Sequence, residues 1–403
     1  MNPSLPDNTR NIVVLAICTA LFHSGRALAF IAAALVAITM LGDDLTLVTA
    51  PLTMMLVGTA AGTLPVAYVM QRYGRKAGFV SGSMVGTIGS AVCVFAVSSN
   101  DFLVLNIGLF LFGLYNGAAQ QYRFAVADVA TEERKAKAVS IVIAMGVVGA
   151  FVGPEAILLT KSLSGLVEFE GPFWVLTGFC FLSGIIVLWI DIPKLSISRH
   201  ANPGRSLREI FVIPTFLVAL AAALFGYSVM NLVMTATPVT MQVDSFTDHH
   251  IARVIQWHIV AMFAPGFFTG TLIRWTGTVR IIILGSALLL GSVLIALAGS
   301  SFPYYFWALV FLGLGWNFTF TGGTVLVTEV YTPEEMNKVQ GMNDFILFTG
   351  LAISALSAGI IYHYFGWIWV NLATVPLILA VLFSALWLRS IRKNPGRAEF
   401  PSG

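Results

Sequence analysis

Long apolar stretches separated by short polar loops dominate the pattern of the chain. A helix needs about 20 predominantly apolar residues to cross a lipid bilayer. We find twelve stretches of roughly that length, so the pattern predicts an all-α membrane protein with twelve transmembrane helices. The expected spans are 12–40, 46–70, 76–97, 102–127, 138–161, 172–191, 211–237, 250–273, 279–299, 304–328, 339–362 and 367–388.

The composition agrees with a membrane protein and argues against other classes. Of 403 residues, 57% are hydrophobic and only 10% are charged, against about 25% in an average soluble protein. Such a chain is neither an ordinary soluble enzyme nor disordered. The three cysteines lie in apolar runs without a C-x-x-C pair, so we expect no disulfide framework, metal or cofactor. A primary pump and an intramembrane enzyme are disfavoured, because the chain has no phosphate-binding loop and no G-x-S-x-G or H-E-x-x-H motif.

Lysine and arginine are concentrated in alternate loops. Clusters such as 72–76, 134–137 and 389–397 lie on one side of the expected membrane, whereas acids such as Asp101 and Glu170 lie on the other. Basic loops remain in the cytoplasm, so both termini are expected there, in a bacterial inner membrane. This topology explains the basic surface without a nucleic-acid partner.

The chain divides into two similar halves. We expect an N-terminal six-helix bundle over 1–192, a cytoplasmic linker over 193–209 and a C-terminal six-helix bundle over 210–403. An offset of 201 residues carries Asn116 onto Asn317 and Asp128 onto Glu329. Internal repeats of this kind are typical of transporters whose site lies between the repeats, although chance similarity of glycine-rich helices is the alternative.

Two sequence motifs resemble those of the major facilitator superfamily. The loop 71–76, Gln-Arg-Tyr-Gly-Arg-Lys, is similar to its cytoplasmic signature G-x-L-x-D-R-x-G-R-K, with Gln71 in place of the aspartate. Residues 149–154 resemble the core of its antiporter signature, G-x-x-x-G-P, but the usual span-four arginine is replaced by Gly113. Residues 121–128 and 338–345 are similar to a proteobacterial transporter group in which some members are assigned as riboflavin transporters.

The resemblance implies a fold, a mechanism and a set of gating residues. Two six-helix bundles would rock around a site at the middle of the membrane, with spans one, four, seven and ten around a central cavity. Asp128 would pair with Arg75 or Arg72 to close the inward gate. The gating candidates are Arg72, Gly74, Arg75, Asp128 and Glu329.

Polar side chains form stripes on the four spans that the resemblance places around the cavity. Residues three, four or seven positions apart share one face of a helix. Hydrogen bonding between helices is the alternative role for these groups. The substrate-binding candidates are His23, Arg26 and Phe30 on span one, Asn116, Gln120 and Arg123 on span four, Tyr227 and Asn231 on span seven, and Trp316 and Asn317 on span ten.

Two acids within the spans are candidates for ion coupling. A charge inside a bilayer is costly, so each one needs a structural or functional reason. Glu155 on span five and Arg26 on span one lie at similar heights, which predicts a buried ion pair that substrate or a proton breaks. A static pair that fixes helix registry is the alternative. Asp344 on span eleven is a second candidate proton carrier.

The residues expected around the cavity combine aromatic walls with amides and few charges. Such a surface suits a small organic molecule, for example a flat heteroaromatic ring with a polyhydroxyl tail, as in riboflavin. We therefore expect a monomeric secondary transporter that imports riboflavin or a similar solute across the lipid bilayer, with protons as a possible second partner. A proton-coupled exporter of drugs or metabolites is the alternative.

Overall fold

The computed structural model describes residues 9–41, 47, 50–163, 165–192 and 204–393, and these residues form helices and no β-strand. The expected cytoplasmic ends of the chain, 1–8 and 394–403, and most of the expected linker, 193–203, lie outside the described residues. The helices are α1 (Thr9–Leu41), α2 (Ala50–Tyr73), α3 (Arg75–Ser99), α4 (Phe102–Ala119), α5 (Tyr122–Val129), α6 (Glu132–Ala144), α7 (Gly146–Thr160), α8 (Glu170–Val187), α9 (Leu207–Phe211), α10 (Pro214–Val243), α11 (Asp248–Phe263), α12 (Gly266–Thr276), α13 (Thr278–Ala298), α14 (Phe302–Val327) and α15 (Met336–Lys393).

Within the described ranges, ten helical segments are long and apolar enough to cross a membrane. Two features reconcile this number with twelve expected spans. The eighth span, 250–273, is broken at Ala264 and Pro265 into α11 and α12, each too short to be counted. The last two spans are joined in α15, where Gly366 has the non-helical dihedral angles φ 76° and ψ −174°. The all-α membrane class is confirmed.

The chain forms two compact units. The first contains Met1–Gly204 and Thr332–Ala352, and the second contains Arg205–Tyr331 and Ile353–Gly403. The beginning of α15 thus belongs to the first unit by its contacts, although it comes late in the sequence. The division into bundles at 192 and 210 stays a prediction.

Glycines allow α2 and α4 to approach closely in the first unit. A Cβ atom on Gly62 would lie 2.6 Å from the backbone oxygen of Leu114, and one on Gly117 would lie 2.7 Å from that of Thr59. Gly113 likewise faces the backbone of α2, where a Cβ would lie 2.9 Å from the Cα atom of Gly58. Small residues at such positions let membrane helices pack backbone against backbone.

Two glycines at equivalent places have similar backbone conformations. Gly74 lies between α2 and α3 with φ 92° and ψ 165°, and Gly277 lies between α12 and α13 with φ 91° and ψ 147°. Positive φ angles of this kind favour glycine, because it has no Cβ atom. The shared conformation supports the internal repeat that the sequence predicts.

Candidate functional site

A buried ion pair joins α5 to the beginning of α15 within the first unit. The guanidinium of Arg123 pairs with the carboxylate of Asp344, and their side chains are 4% and 0% exposed. Arg123 also donates to Gln120 Oε1 at 2.9 Å, and its guanidinium lies 4.7 Å from the centre of the Phe124 ring. Asn343 Nδ2 donates to the same carboxylate at 3.0 Å. Arg123 is therefore bound to an acid of the chain itself, although we expected it to bind substrate.

A second ion pair lies in the same unit, between α3 and α5. Arg75 Nη2 is 2.6 Å from Asp128 Oδ2, which is the contact that the resemblance implies for the inward gate. Arg75 also donates to the side-chain oxygen of Gln340 on α15. Because the side chains of Arg75 and Asp128 are 4% and 13% exposed, this pair has little contact with solvent.

Gln121 connects the two ion pairs. Its Oε1 accepts a hydrogen bond from Arg75 Nη1 at 3.1 Å, and its Nε2 donates to Asp344 Oδ2 at 3.0 Å. The amide is 1% exposed. We call Arg75, Gln121, Arg123, Asp128, Gln340 and Asp344 the buried charge cluster. Buried charges are tolerated when they are paired and hydrogen-bonded, as they are here.

Two other gating candidates lie apart from this cluster. Arg72 is exposed and donates to the hydroxyl of Tyr68 at 3.2 Å, so the structure selects Arg75 as the partner of Asp128. In the second unit, Glu329 pairs with Arg392 at 2.8 Å, and their side chains are 40% and 43% exposed. Glu329 thus matches Asp128 in sequence position but not in burial.

The candidates on span one face different surroundings. His23 and Arg26 are partly buried, and the His23 ring lies 4.8 Å from the ring of Phe22. Phe30 is 46% exposed. Glu155 is also exposed, which differs from the buried pair with Arg26 that we expected. The prediction relied on height along the two helices and had no information on which way Glu155 faces.

The glycines of the antiporter-like motif pack against α1. A Cβ atom on Gly149 would lie 2.6 Å from the carbonyl carbon of His23, and one on Gly153 would lie 2.7 Å from the Cβ atom of Ala27. Close packing of α1 and α7 explains these glycines, so they do not favour the exporter alternative.

The two repeat-related asparagines have different surroundings. Asn317 is fully buried, donates to the Met262 carbonyl at 2.7 Å and accepts from Thr269 Oγ1 at 2.7 Å. It thus ties α14 to both sides of the break between α11 and α12. These bonds give Asn317 a structural role, and its contact with substrate stays a prediction. Asn116 is 2% exposed, and its Oδ1 has no hydrogen-bond partner among the described residues.

Four aromatic rings form a cluster in the second unit. Trp316 stacks on Phe320 with ring centres 4.8 Å apart and planes 12° apart. Tyr227 meets Trp316 edge-on at 5.2 Å, and Phe263 does so at 5.5 Å. We call these four residues the aromatic cluster. The Trp316 Nε1 donor has no hydrogen-bond partner in the described part of the chain. Asn231, on the same helix as Tyr227, donates to Ser354 Oγ at 3.1 Å.

Sequence reasoning missed the glutamines of the buried charge cluster. Gln121 and Gln340 lie in the two stretches that resemble the proteobacterial group, yet neither belongs to a polar stripe from which the candidates were chosen. The signal was their position, since each lies within four residues of a buried ion-pair member.

The described residues hold no group of three or more His, Cys, Asp or Glu side chains suited to a metal ion. Cys18, Cys93 and Cys180 are free and buried.

Comparison with known proteins gives concordant matches. A family model described as Major Facilitator Superfamily matches residues 15–346 and 247–402. The chain is 38% identical to "Riboflavin transporter RfnT" of Brucella anthropi, over 93% of this chain and 94% of that protein. It is 31% identical to "Uncharacterized MFS-type transporter YdeG" of Bacillus subtilis, over 87% and 86% of the two chains. The crystal structure of the transporter FucP in its outward conformation superimposes with a TM-score of 0.74 at 13% identity, covering 93% of this chain and 98% of that one.

Proposed function

Because the chain belongs to the major facilitator superfamily, we propose that it imports riboflavin across the bacterial inner membrane by alternating access. The similarity to a riboflavin transporter along 93% of the chain carries this proposal. A match of 375 residues extends far beyond the gating loop that many members of a transporter family share. The expected cytoplasmic termini and the monomeric state belong to the same proposal.

The aromatic cluster supports a flat ring as the recognised group. Aromatic rings pack against one another face-on or edge-on, and a heteroaromatic substrate offers the same surfaces. The cluster also contains a buried indole N–H, Trp316 Nε1, that has no partner among the residues that the structure describes and suits an acceptor on a polar ring. We propose that Tyr227 and Trp316 contact the ring of riboflavin.

Polar atoms of the second unit support the recognition of a hydroxylated tail. Among the described residues, the buried hydroxyls of Thr321 and Thr324 have no hydrogen-bond partner. Asn116, in the first unit, stays a separate prediction as a substrate contact. A buried polar group without a partner costs free energy, which a substrate hydroxyl would recover. His23, Arg26, Phe30 and Asn231 stay predictions as further substrate contacts.

Uptake of labelled riboflavin tests the proposed activity. Cells that lack their own importer would be compared with and without this protein, and its presence in the membrane would be verified. We expect saturable uptake that unlabelled riboflavin competes. Absence of uptake would contradict the proposal and make export of drugs or metabolites the leading alternative.

Proton coupling is a separate part of the proposal. If protons drive uptake, an uncoupler should abolish accumulation, and Asp344 and Glu155 are the acids to replace. A Glu155→Gln variant with unchanged uptake and unchanged pH dependence would remove Glu155 from coupling.

Trp316 allows the two contributions of the indole to be separated. Trp316→Phe keeps an aromatic face but loses the N–H donor, whereas Trp316→Leu loses both. We expect the apparent affinity for riboflavin to fall about tenfold in the first variant and further in the second, because an unmade hydrogen bond costs about 1–3 kcal/mol. Competition binding on purified protein would measure this. Equal affinity in all three proteins would exclude Trp316 from the site.

The asparagine pair gives a contrasting prediction. Asn317→Leu should lower the free energy of unfolding by about 1–3 kcal/mol, since the Met262 carbonyl loses a donor in a buried place. Transport per folded molecule should be unchanged. Asn116→Leu should instead reduce transport with a smaller loss of stability, because Asn116 Oδ1 has no hydrogen-bond partner in the described ranges. Thermal unfolding and uptake per folded molecule would be measured for both; the reverse pattern would contradict both assignments.

A further inference from the structure

The buried charge cluster contains two ion pairs that share no charged residue. Arg75 with Asp128 joins α3 to α5, and Arg123 with Asp344 joins α5 to the beginning of α15. The side chain of Gln121 is hydrogen-bonded to a member of each pair. We infer that Gln121 couples the two ion pairs, so that they form and break as a single latch on the beginning of α15.

The chemistry of the amide explains why it would sense both pairs. A guanidinium offers only donors and an ionised carboxylate only acceptors, whereas an amide has one end of each kind. Gln121 presents its oxygen to Arg75 and its nitrogen to Asp344. Rotating the amide by half a turn would set nitrogen against Arg75 and oxygen against Asp344, which is unfavourable at both ends. The orientation of Gln121 therefore depends on both charges at once.

Burial makes this dependence strong. Gln121, Arg75, Arg123 and Asp344 are each no more than 4% exposed, so water does not replace a lost partner. Hydrogen bonds to charged groups are stronger than those between neutral groups, and the low dielectric of the interior strengthens them further. If Asp344 left its place, the Gln121 amide would lose the partner that fixes its nitrogen, and its hold on Arg75 would weaken.

The latch acts on a segment that also packs tightly through its backbone. A Cβ atom on Gly341 would lie 2.6 Å from the Cβ atom of Ala67, so the beginning of α15 covers α2 at this point. Ala67 is 6% exposed. A cysteine at position 67 would therefore react with a thiol reagent only when the beginning of α15 moves away from α2. The native cysteines are buried, and the protein without A67C is the blank for labelling.

Labelling of A67C in membranes, without substrate, tests the coupling. Asp128→Asn and Asp344→Asn would be combined in a double-mutant cycle, once with Gln121 present and once in a Gln121→Leu background. We expect Gln121→Leu alone to raise the labelling rate at least about fivefold, because the variant loses two hydrogen bonds to charged groups. With Gln121 present, the two asparagine substitutions should be strongly non-additive; with Gln121→Leu, only the weaker direct coupling between the charges should remain.

Gln340→Leu is the matched control. It removes a different glutamine that is bonded to Arg75. Gln340 lies at the beginning of α15, and its loss leaves the hydrogen bonds of Gln121 to Arg75 and Asp344 intact. The non-additivity should persist in Gln340→Leu. Equal coupling with and without Gln121, or loss of coupling only in Gln340→Leu, would overturn the inference.

Gln121→Glu gives a second, independent outcome. The new carboxylate would still accept from Arg75 but would repel Asp344, so labelling of A67C should exceed that of Gln121→Leu. Labelling at or below the Gln121→Leu rate would contradict the bridging role. The inference rests on the proposed transport cycle but not on its cargo: failed riboflavin uptake with intact coupling in the labelling cycle would refute the substrate and leave the latch standing.

Discussion

Replacing Asp344 with asparagine is expected to lower the free energy of unfolding by about 3–5 kcal/mol, because it leaves the buried Arg123 charge without its counter-ion. Asp344 is fully buried and Arg123 is 4% exposed, so neither solvent nor salt compensates for the lost pair. The asparagine keeps the size of the side chain, which separates the effect of charge from that of packing. Thermal and denaturant unfolding of the purified protein, together with its yield in the membrane, would measure the loss.

The exposed pair in the second unit provides the control. Glu329 and Arg392 are 2.8 Å apart but 40% and 43% exposed, and such surface pairs contribute about 0–1 kcal/mol. Glu329→Gln should therefore change stability little.

Exchanging the two buried charges, as Arg123→Asp with Asp344→Arg, should recover part of the stability that Asp344→Asn loses. A similar small effect for Asp344→Asn and Glu329→Gln would show that the buried pair does not hold the beginning of α15 against α5.

Replacing Gly113 with leucine is expected to prevent the close approach of α2 and α4. A Cβ atom added at this position would lie 3.0 Å from the backbone nitrogen of Thr59. The backbone cannot move aside as a flexible side chain can. Overpacking usually costs about 1–3 kcal/mol, and a clash with backbone belongs at or above the top of that range. We expect a large loss of folded protein from the membrane.

Gly178→Leu is the matched control for this substitution. Gly178 also lies within a helix, α8, but a Cβ atom there would have no neighbour within 4 Å. Its yield and melting temperature should stay near those of the unaltered protein, as measured by fluorescence-detected size exclusion and thermal unfolding. If both variants behave alike, the close contact between α2 and α4 is not required for folding.

The crowding of Gly113 against the backbone of α2 also explains why the arginine of the antiporter motif has no place at position 113.

The spans could be predicted from the sequence, because the thickness of the bilayer sets the length of an apolar helix. The pairing of Arg75 with Asp128 could be expected only from a resemblance, since 53 residues separate them. The partnership of Arg123 with Asp344 lies across 221 residues, and no local pattern indicates it. Helical spacing shows which residues share a face but not what that face meets, which is why the bonds of Asn317 to Met262 and Thr269 could not be predicted.

The balance of the buried charge cluster has a consequence for how the protein responds to voltage. Its two arginines and two aspartates sum to zero when all are ionised. Moving one elementary charge through a potential of 100 mV takes about 2.3 kcal/mol, so an unbalanced cluster would make every shift of α5 and α15 depend on the membrane potential. With the charges balanced, displacement of this cluster as a body transfers no net charge, whereas separation of Asp344 from the other three charges would not be neutral.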